Sequence, residues 1–210
     1  MAYSTDFFGE FSIEPALSDE DREFLIKFNN TRRMARQGLD PKYGLEGEWL
    51  VSGEGFKGQD SDSSVINHNK PPCRQPGLWC QWVPNEDGTA LQWDGGEMAY
   101  DMREWLYYLV EFYLKPRGYV LNGVVKAQGK DSSDRWSMRL KDNALKDGCP
   151  AYEQFLPKIE EIKNAKLEDL PKFLADLKEL KSKKRGLTVG GAWYLSILEE
   201  RLAALEGADV

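Results

Sequence analysis

With 210 residues, 41% of them hydrophobic and 30% charged, the chain has material for one domain and a smaller second unit around a substantial core. Its formal charge of −7 works against non-specific attraction to nucleic acid or to an anionic membrane surface. No run approaches the roughly 18–20 apolar residues that cross a bilayer.

The first residues, Met1 to Asp6, show neither the basic nor the apolar region of a signal peptide. With that start and an odd set of cysteines (Cys73, Cys80, Cys149), a cytoplasmic protein with reduced thiols is expected. Phe7, Gly9, Phe11 and Ile13 alternate with polar residues and predict a first strand with one buried face. Ser18 followed by Asp-Glu-Asp starts a helix, with Asp21 placed as in a capping box. That helix should turn Phe24, Leu25, Phe28 and Met34 inward and fade near Gly38.

Trp49-Leu50-Val51 is a short strand candidate, after which Ser52 to Gly77 is rich in Gly, Asp, Ser, Asn, Lys and Pro. A loop of this length inside a domain is more often functional than idle. Leu78 to Val83 should pair with Ala90 to Trp93 in a hairpin closed by Pro-Asn-Glu-Asp-Gly, Gly88 supplying the positive φ. Gly95-Gly96 ends it.

A second helix is predicted over 98–114, with Met102, Trp105, Leu106, Leu109, Phe112 and Tyr113 at helical spacing and Pro116 and Gly118 beyond. Tyr119 to Ala127, interrupted by Gly123, and Trp136 to Leu140 read as a final strand pair. This order predicts an α+β domain over 1–147. It is a ferredoxin-like split βαβ arrangement, with an antiparallel sheet and both helices on one face. Residues 148–210 should add a helical hairpin. One stripe runs from Leu170 through Phe173, Leu174, Leu177 and Leu180 to the basic Lys183-Lys184-Arg185, and a last helix opens at Thr188. Residues 165–206 would then pack on the α+β body, a second copy or a protein partner.

The chemistry-bearing motifs are weak. Gly53-Glu-Gly55-Phe-Lys-Gly58 matches the dinucleotide fingerprint, but Gln59-Asp-Ser-Asp-Ser-Ser cannot open the required helix, so no cofactor is expected. Asp60-x-Asp62 begins like a calcium loop yet has Val65 where a glycine is needed. His68 is the only histidine, which excludes two-histidine metal sites and leaves Cys73 as the one partner for a Cys–His pair. Asp94, Glu97, Asp101 and Glu104 suit a helix N-terminus, or a carboxylate pair with a divalent ion.

The tryptophans carry two readings. Trp82 and Trp105 are expected in the core, whereas Trp79, Trp93 and Trp136 are placed on the sheet face opposite the helices. That face is either covered or a platform on which a planar ligand stacks. Donors in the loop favour the platform: Lys57, Gln59, Asn67, His68, Asn69, Lys70, Arg74 and Gln75, with Gln81, Asp94 and Glu97 nearby.

The runs G-F-K-G-Q-D-x-D-x-S, N-x-P-P, Q-P-G-L-W-C-Q-W-V-P, D-G-T-A, W-D-G-G-E, E-W-L-x-Y-L, G-Y-x-L-N-G and D-N resemble a family of small, uncharacterised bacterial and phage proteins. The resemblance covers about the first 145 residues, transfers no catalytic residues, and implies that Gly53–Gln81 and Trp93–Glu97 form one unit. The C-terminal helices lie outside it.

Together these readings predict a non-enzymatic binding protein of a bacterial or phage conflict (anti-defence) system. It would sequester a small polar ligand, such as a nucleotide signal, between loop 53–75 and the tryptophan-bearing sheet. The ligand contacts would be Lys57, Gln59, Asn67, His68, Asn69, Arg74, Trp79, Gln81, Trp93, Asp94 and Glu97. The alternatives are an acidic protein inhibitor or immunity-type protein, and a divalent-metal-dependent hydrolase using Asp94 and Glu97.

Overall fold

The computed structural model describes residues 4–51, 62–182 and 187–207. The chain divides into two compact units, Met1–Gly148 and Cys149–Val210. The first is a mixed α and β structure built on an antiparallel sheet.

The N-terminal strand, expected to be continuous, is two. β1 (Thr5–Phe8) and β2 (Glu10–Glu14) flank Gly9, whose φ is +103°. Both pair with β7 (Val120–Gly129): Phe7 opposite Ala127, and Ile13 opposite Leu121. Two glycines make the junction. A Cβ on Gly9 would lie 2.6 Å from the Val124 carbonyl oxygen, and one on Gly123 (φ +144°) 2.6 Å from that of Glu10. Only glycine fits both the backbone angle and the close approach.

The sheet order is β5-β6-β2-β7-β8-β9, with β5 Trp82–Pro84, β6 Ala90–Trp93, β8 Arg135–Lys141 and β9 Ala144–Leu145. The predicted hairpin forms with Trp82 opposite Trp93, though its first strand begins at Trp82, not Leu78. Its turn closes on the Asn85 side chain, which accepts from the Thr89 and Ala90 amides at 2.9 and 3.1 Å, and Gly88 takes φ +68°.

Register assigns the faces. Trp82, Leu91 and Trp93 share a face with Phe11 and Ile13, and through β7 with Val125 and Ala127, Met138 and Trp136. This face is the core side: Phe11, Trp82, Leu91, Val125 and Met138 are almost completely buried, each contributing about 1.5–3 kcal/mol. Trp93 and Trp136 therefore belong to the core face, not the opposite one. The opposite face carries Ser12, Asn122, Lys126 and Arg139 around the exposed Phe8.

α1 (Asp19–Asn30) starts as predicted, with Ser18 Oγ accepting from the Asp21 amide at 3.1 Å. It stops at Asn30, eight residues before the expected end, because the chain turns into a two-stranded ribbon. In it β3 (Ala35–Arg36) pairs with β4 (Val65–Asn67), inside the expected loop. Met34 is buried without being helical. Trp49 to Val51 form no strand; the Trp49 ring stacks on Tyr108 at 5.4 Å after two 3₁₀ turns, Pro41–Tyr43 and Leu45–Gly47.

α2 (Met102–Leu109) begins four residues later than predicted and widens into a π turn, Val110–Leu114, before a 3₁₀ turn and Gly118 at φ +86°. The second unit holds α3 (Pro150–Glu153), α4 (Leu156–Lys163), α5 (Leu170–Ser182) and α6 (Val189–Gly207). α6 packs against α3, α4 and α5, so more than the expected two helices form the cluster. Phe173 and Leu180 of the predicted stripe are buried, whereas Leu174 and Leu177 are half-buried. No described helix is long and apolar enough to cross a membrane.

Candidate functional site

A cavity of about 750 Å³ opens in the first unit, a size that suits a small-molecule ligand. Three segments wall it: the last turn of α1 with Lys27, Asn29 and Asn30; Gly77 to Gln81, leading into β5; and the turn after β6 that runs from Asp94 to Asp101, with Trp105 behind it on α2.

Hydrogen bonds lock the segments together. Asn29 Nδ2 donates to the Cys80 carbonyl and to Asp94 Oδ2, both at 2.8 Å. The Asp94 amide donates to the Gln81 carbonyl at 3.1 Å, and Gln81 Nε2 reaches the Glu97 carbonyl at 3.3 Å. Asp94 Oδ1 accepts from the Gly96 amide at 2.7 Å, closing an Asx-type turn. Trp82 Nε1 donates to the Met102 carbonyl at 2.9 Å and fixes the start of α2.

The turn is strained. Gly95 takes φ +81° without cost, but Met98 at +56° and Asp101 at +54° are non-glycine residues in the left-handed region. Such positions cost about 1–3 kcal/mol each and cluster at functional sites.

The lining is aromatic and acidic. Trp79 and Tyr100 supply rings, with Trp105 fully buried behind them, Asp94, Glu97 and Asp101 supply carboxylates, and among the described residues Lys27 is the one cation. Partial desolvation, with the Glu104 charge second, pushes the Asp101 carboxyl above the usual carboxylate range although solvent still reaches it. Burial pushes the Cys80 thiol up to about 12, so it stays protonated and is no nucleophile. Among the described residues no group of three or more His, Cys, Asp or Glu side chains could hold a metal ion.

Of the predicted contacts, Trp79, Gln81, Asp94 and Glu97 line this cavity. Trp93 does not: on the core face, its ring meets Phe7 edge-on at 5.5 Å, and Phe7 in turn meets Trp136 at 5.6 Å. The expected platform of Trp79, Trp93 and Trp136 on the open sheet face is thus not formed. Asn67, His68 and Asn69 make an exposed turn held by Arg32, which donates to the His68 carbonyl at 3.0 Å and to Asn69 Oδ1 at 2.9 Å.

Arg74 is committed elsewhere. Its guanidinium pairs with the buried Glu48 carboxylate, one bond at 2.9 Å, and lies 4.4 Å over the Phe112 ring. Gln75 bridges the Glu48 carbonyl, Tyr108 and the fully buried Arg33. The second half of the long loop is therefore anchored in the core. Lys57, Gln59 and the Gly53–Gly58 run lie outside the described residues.

Sequence reasoning missed Lys27, Asn29, Asn30 and Tyr100 as wall residues, whereas Trp105 is buried as expected. Asn29-Asn30-Thr31, three poor helix formers in a row, could have marked the early end of α1 that brings them here.

Set against protein-family models, curated proteins and solved structures, the chain matches none.

Proposed function

We propose that the protein works by binding, without catalysis, and retains a small polar ligand in the cavity walled by α1, Gly77–Gln81 and Asp94–Asp101. One observation carries this reading: the Trp79 and Tyr100 rings and three carboxylates converge on a space of about 750 Å³. The Asp94 oxygens both accept bonds from the surrounding structure, and the only thiol there is buried and protonated. Both features suit holding a ligand better than transforming it. The donors that suggested a nucleotide (Asn67, His68, Asn69, Arg74) are engaged away from this cavity, so the ligand is defined here by its polarity and size. We further propose that this binding serves a sequestering role in conflict between bacteria and phages. The strand order β5-β6-β2-β7, with α1 and α2 as the crossovers, supports a ferredoxin-like core that β8 and β9 extend at one edge.

The test is a thermal-shift screen of the full chain against small polar metabolites, nucleotides included, read in parallel by tryptophan fluorescence. A ligand at a hundred times its Kd stabilises by about 2.7 kcal/mol. Trp79→Ala should remove the response. A screen with no response from any compound would sink the reading.

A further inference from the structure

We infer that the ligand of this cavity is an organic cation with a guanidinium head, stacked on the Trp79 and Tyr100 rings and neutralised by Asp94 and Glu97. The inference rests on the reading of the cavity as a ligand site and adds the charge and shape of what it takes.

The first argument is an unbalanced charge. Among the described residues, Asp94, Glu97 and Asp101 form no ion pair, and Lys27 at the wall forms none with them. The groups that orient Asp94 are neutral, the Asn29 amide and the Gly96 N–H. They fix the carboxylate without cancelling its charge. Phosphate-bearing ligands would meet repulsion from this lining, whereas a cation completes it.

The second argument is how this chain seats two of its own arginines. Arg117 lies 3.8 Å over the Tyr113 ring and 3.3 Å from Asp21 Oδ1. Arg74 lies over Phe112 while pairing with Glu48. Each seat combines an aromatic face with a carboxylate, the pairing that a planar, weakly hydrated guanidinium satisfies best. The cavity offers the same combination, the Trp79 and Tyr100 rings beside three carboxylates, and among the described residues no arginine stands in its walls.

Isothermal titration of the full-length protein with agmatine, AMP and adenosine tests this. Agmatine should bind with an affinity that falls as salt rises, and AMP should not bind. Glu97→Gln, at an exposed position whose backbone alone serves the fold, should weaken agmatine about tenfold, as should Asp94→Asn. Unchanged agmatine binding in both variants would overturn the inference. If AMP or adenosine binds in a manner lost in Trp79→Ala while agmatine does not, the cation is wrong and the cavity reading survives. If none of the three probes binds, the inference falls, and the broader screen alone decides the fate of the cavity.

Discussion

Asn29 Nδ2 stands 2.8 Å from Asp94 Oδ2, a side-chain bridge from the last turn of α1 to the residue that follows β6. The same nitrogen holds the Cys80 carbonyl, so one amide ties three segments whose contacts are 51 and 65 residues apart in sequence. Asn29→Ala should cost about 1–3 kcal/mol in urea unfolding, the range for bonds to a charged group, and should weaken any cavity ligand. Asn30→Ala, one residue on and exposed, is the control and should be close to neutral.

Asp21 links α1 to the stretch that follows α2. Partial burial alone would raise its pKa. Hydrogen bonds from Tyr119 at 2.6 Å, Tyr113 at 2.8 Å and Ser18, with the Arg117 charge, bring it below the ordinary value instead. A depressed carboxylate pKa stabilises the fold above the unfolded value near 3.8 and stops doing so as pH falls through the folded value. Urea midpoints of the native chain should therefore drop on acidification below about pH 4. Asp21→Asn should be less stable at neutral pH and flatter over that acid window. Parallel pH profiles of the two proteins would refute the assignment.

Glu48 is 2% exposed, yet it serves Arg74 and the Tyr108 hydroxyl, which donates to Oε2 at 3.1 Å. Arg74→Met would leave this carboxylate without its counter-charge. The cost should fall toward the lower end of about 3–5 kcal/mol, since Arg74 is itself partly exposed. In a double-mutant cycle, adding Glu48→Gln should recover part of the loss. The surface pair Lys115–Glu111 should show no more than about 1 kcal/mol in the same experiment.

Those networks separate what was legible in the sequence from what was not. The Ser18 cap, the Asn85–Gly88 turn and the stop at Gly118 of the helical run that continues α2 follow from residues adjacent in the chain, and each is where local chemistry puts it. Arg33 could not be read as a core residue, since its burial depends on Gln75, Leu50 and Glu48, all distant in sequence. Trp82 and Trp105 are in the core as expected, but the faces of Trp93 and Trp136 failed for a related reason: only their pairings, with Trp82 and with Ala127, put them on the core side. Of the site, the 79–81 and 94–97 segments stood out because unusual residues crowd there. The α1 wall did not, because its position depends on where that helix ends.

Gly9 and Gly123 test whether the break in the N-terminal strand is required by the fold. Alanine at either position meets a carbonyl oxygen at 2.6 Å from a backbone angle that side chains avoid. Each substitution should cost at least about 1–3 kcal/mol from conformation alone, with more from the clash. Gly38→Ala, also at positive φ but with nothing within 4 Å, should pay only the conformational part. Equal losses at all three would show that the close approach of β1–β2 to β7 contributes nothing.

Gly77 allows the cavity to be filled without disturbing its frame. Its φ is not in the left-handed region, and an added Cβ would make ordinary contacts, 3.5 Å to Asp101 Oδ2 and 3.6 Å to Trp105 Nε1. A longer side chain has the cavity to grow into. Gly77→Leu should therefore keep the fold, with a Tm within a few degrees of the native chain, roughly the shift of a 1 kcal/mol change at this size. It should also abolish the response to whatever compound binds. Asp94→Asn removes charge and leaves the volume, while Gly77→Leu removes volume and leaves the charge. Loss of binding in the first variant alone would mean that the ligand meets the carboxylates at the rim, outside the space between Gly77 and Trp105. Loss in both would require a ligand that enters that space and depends on the charge at its wall.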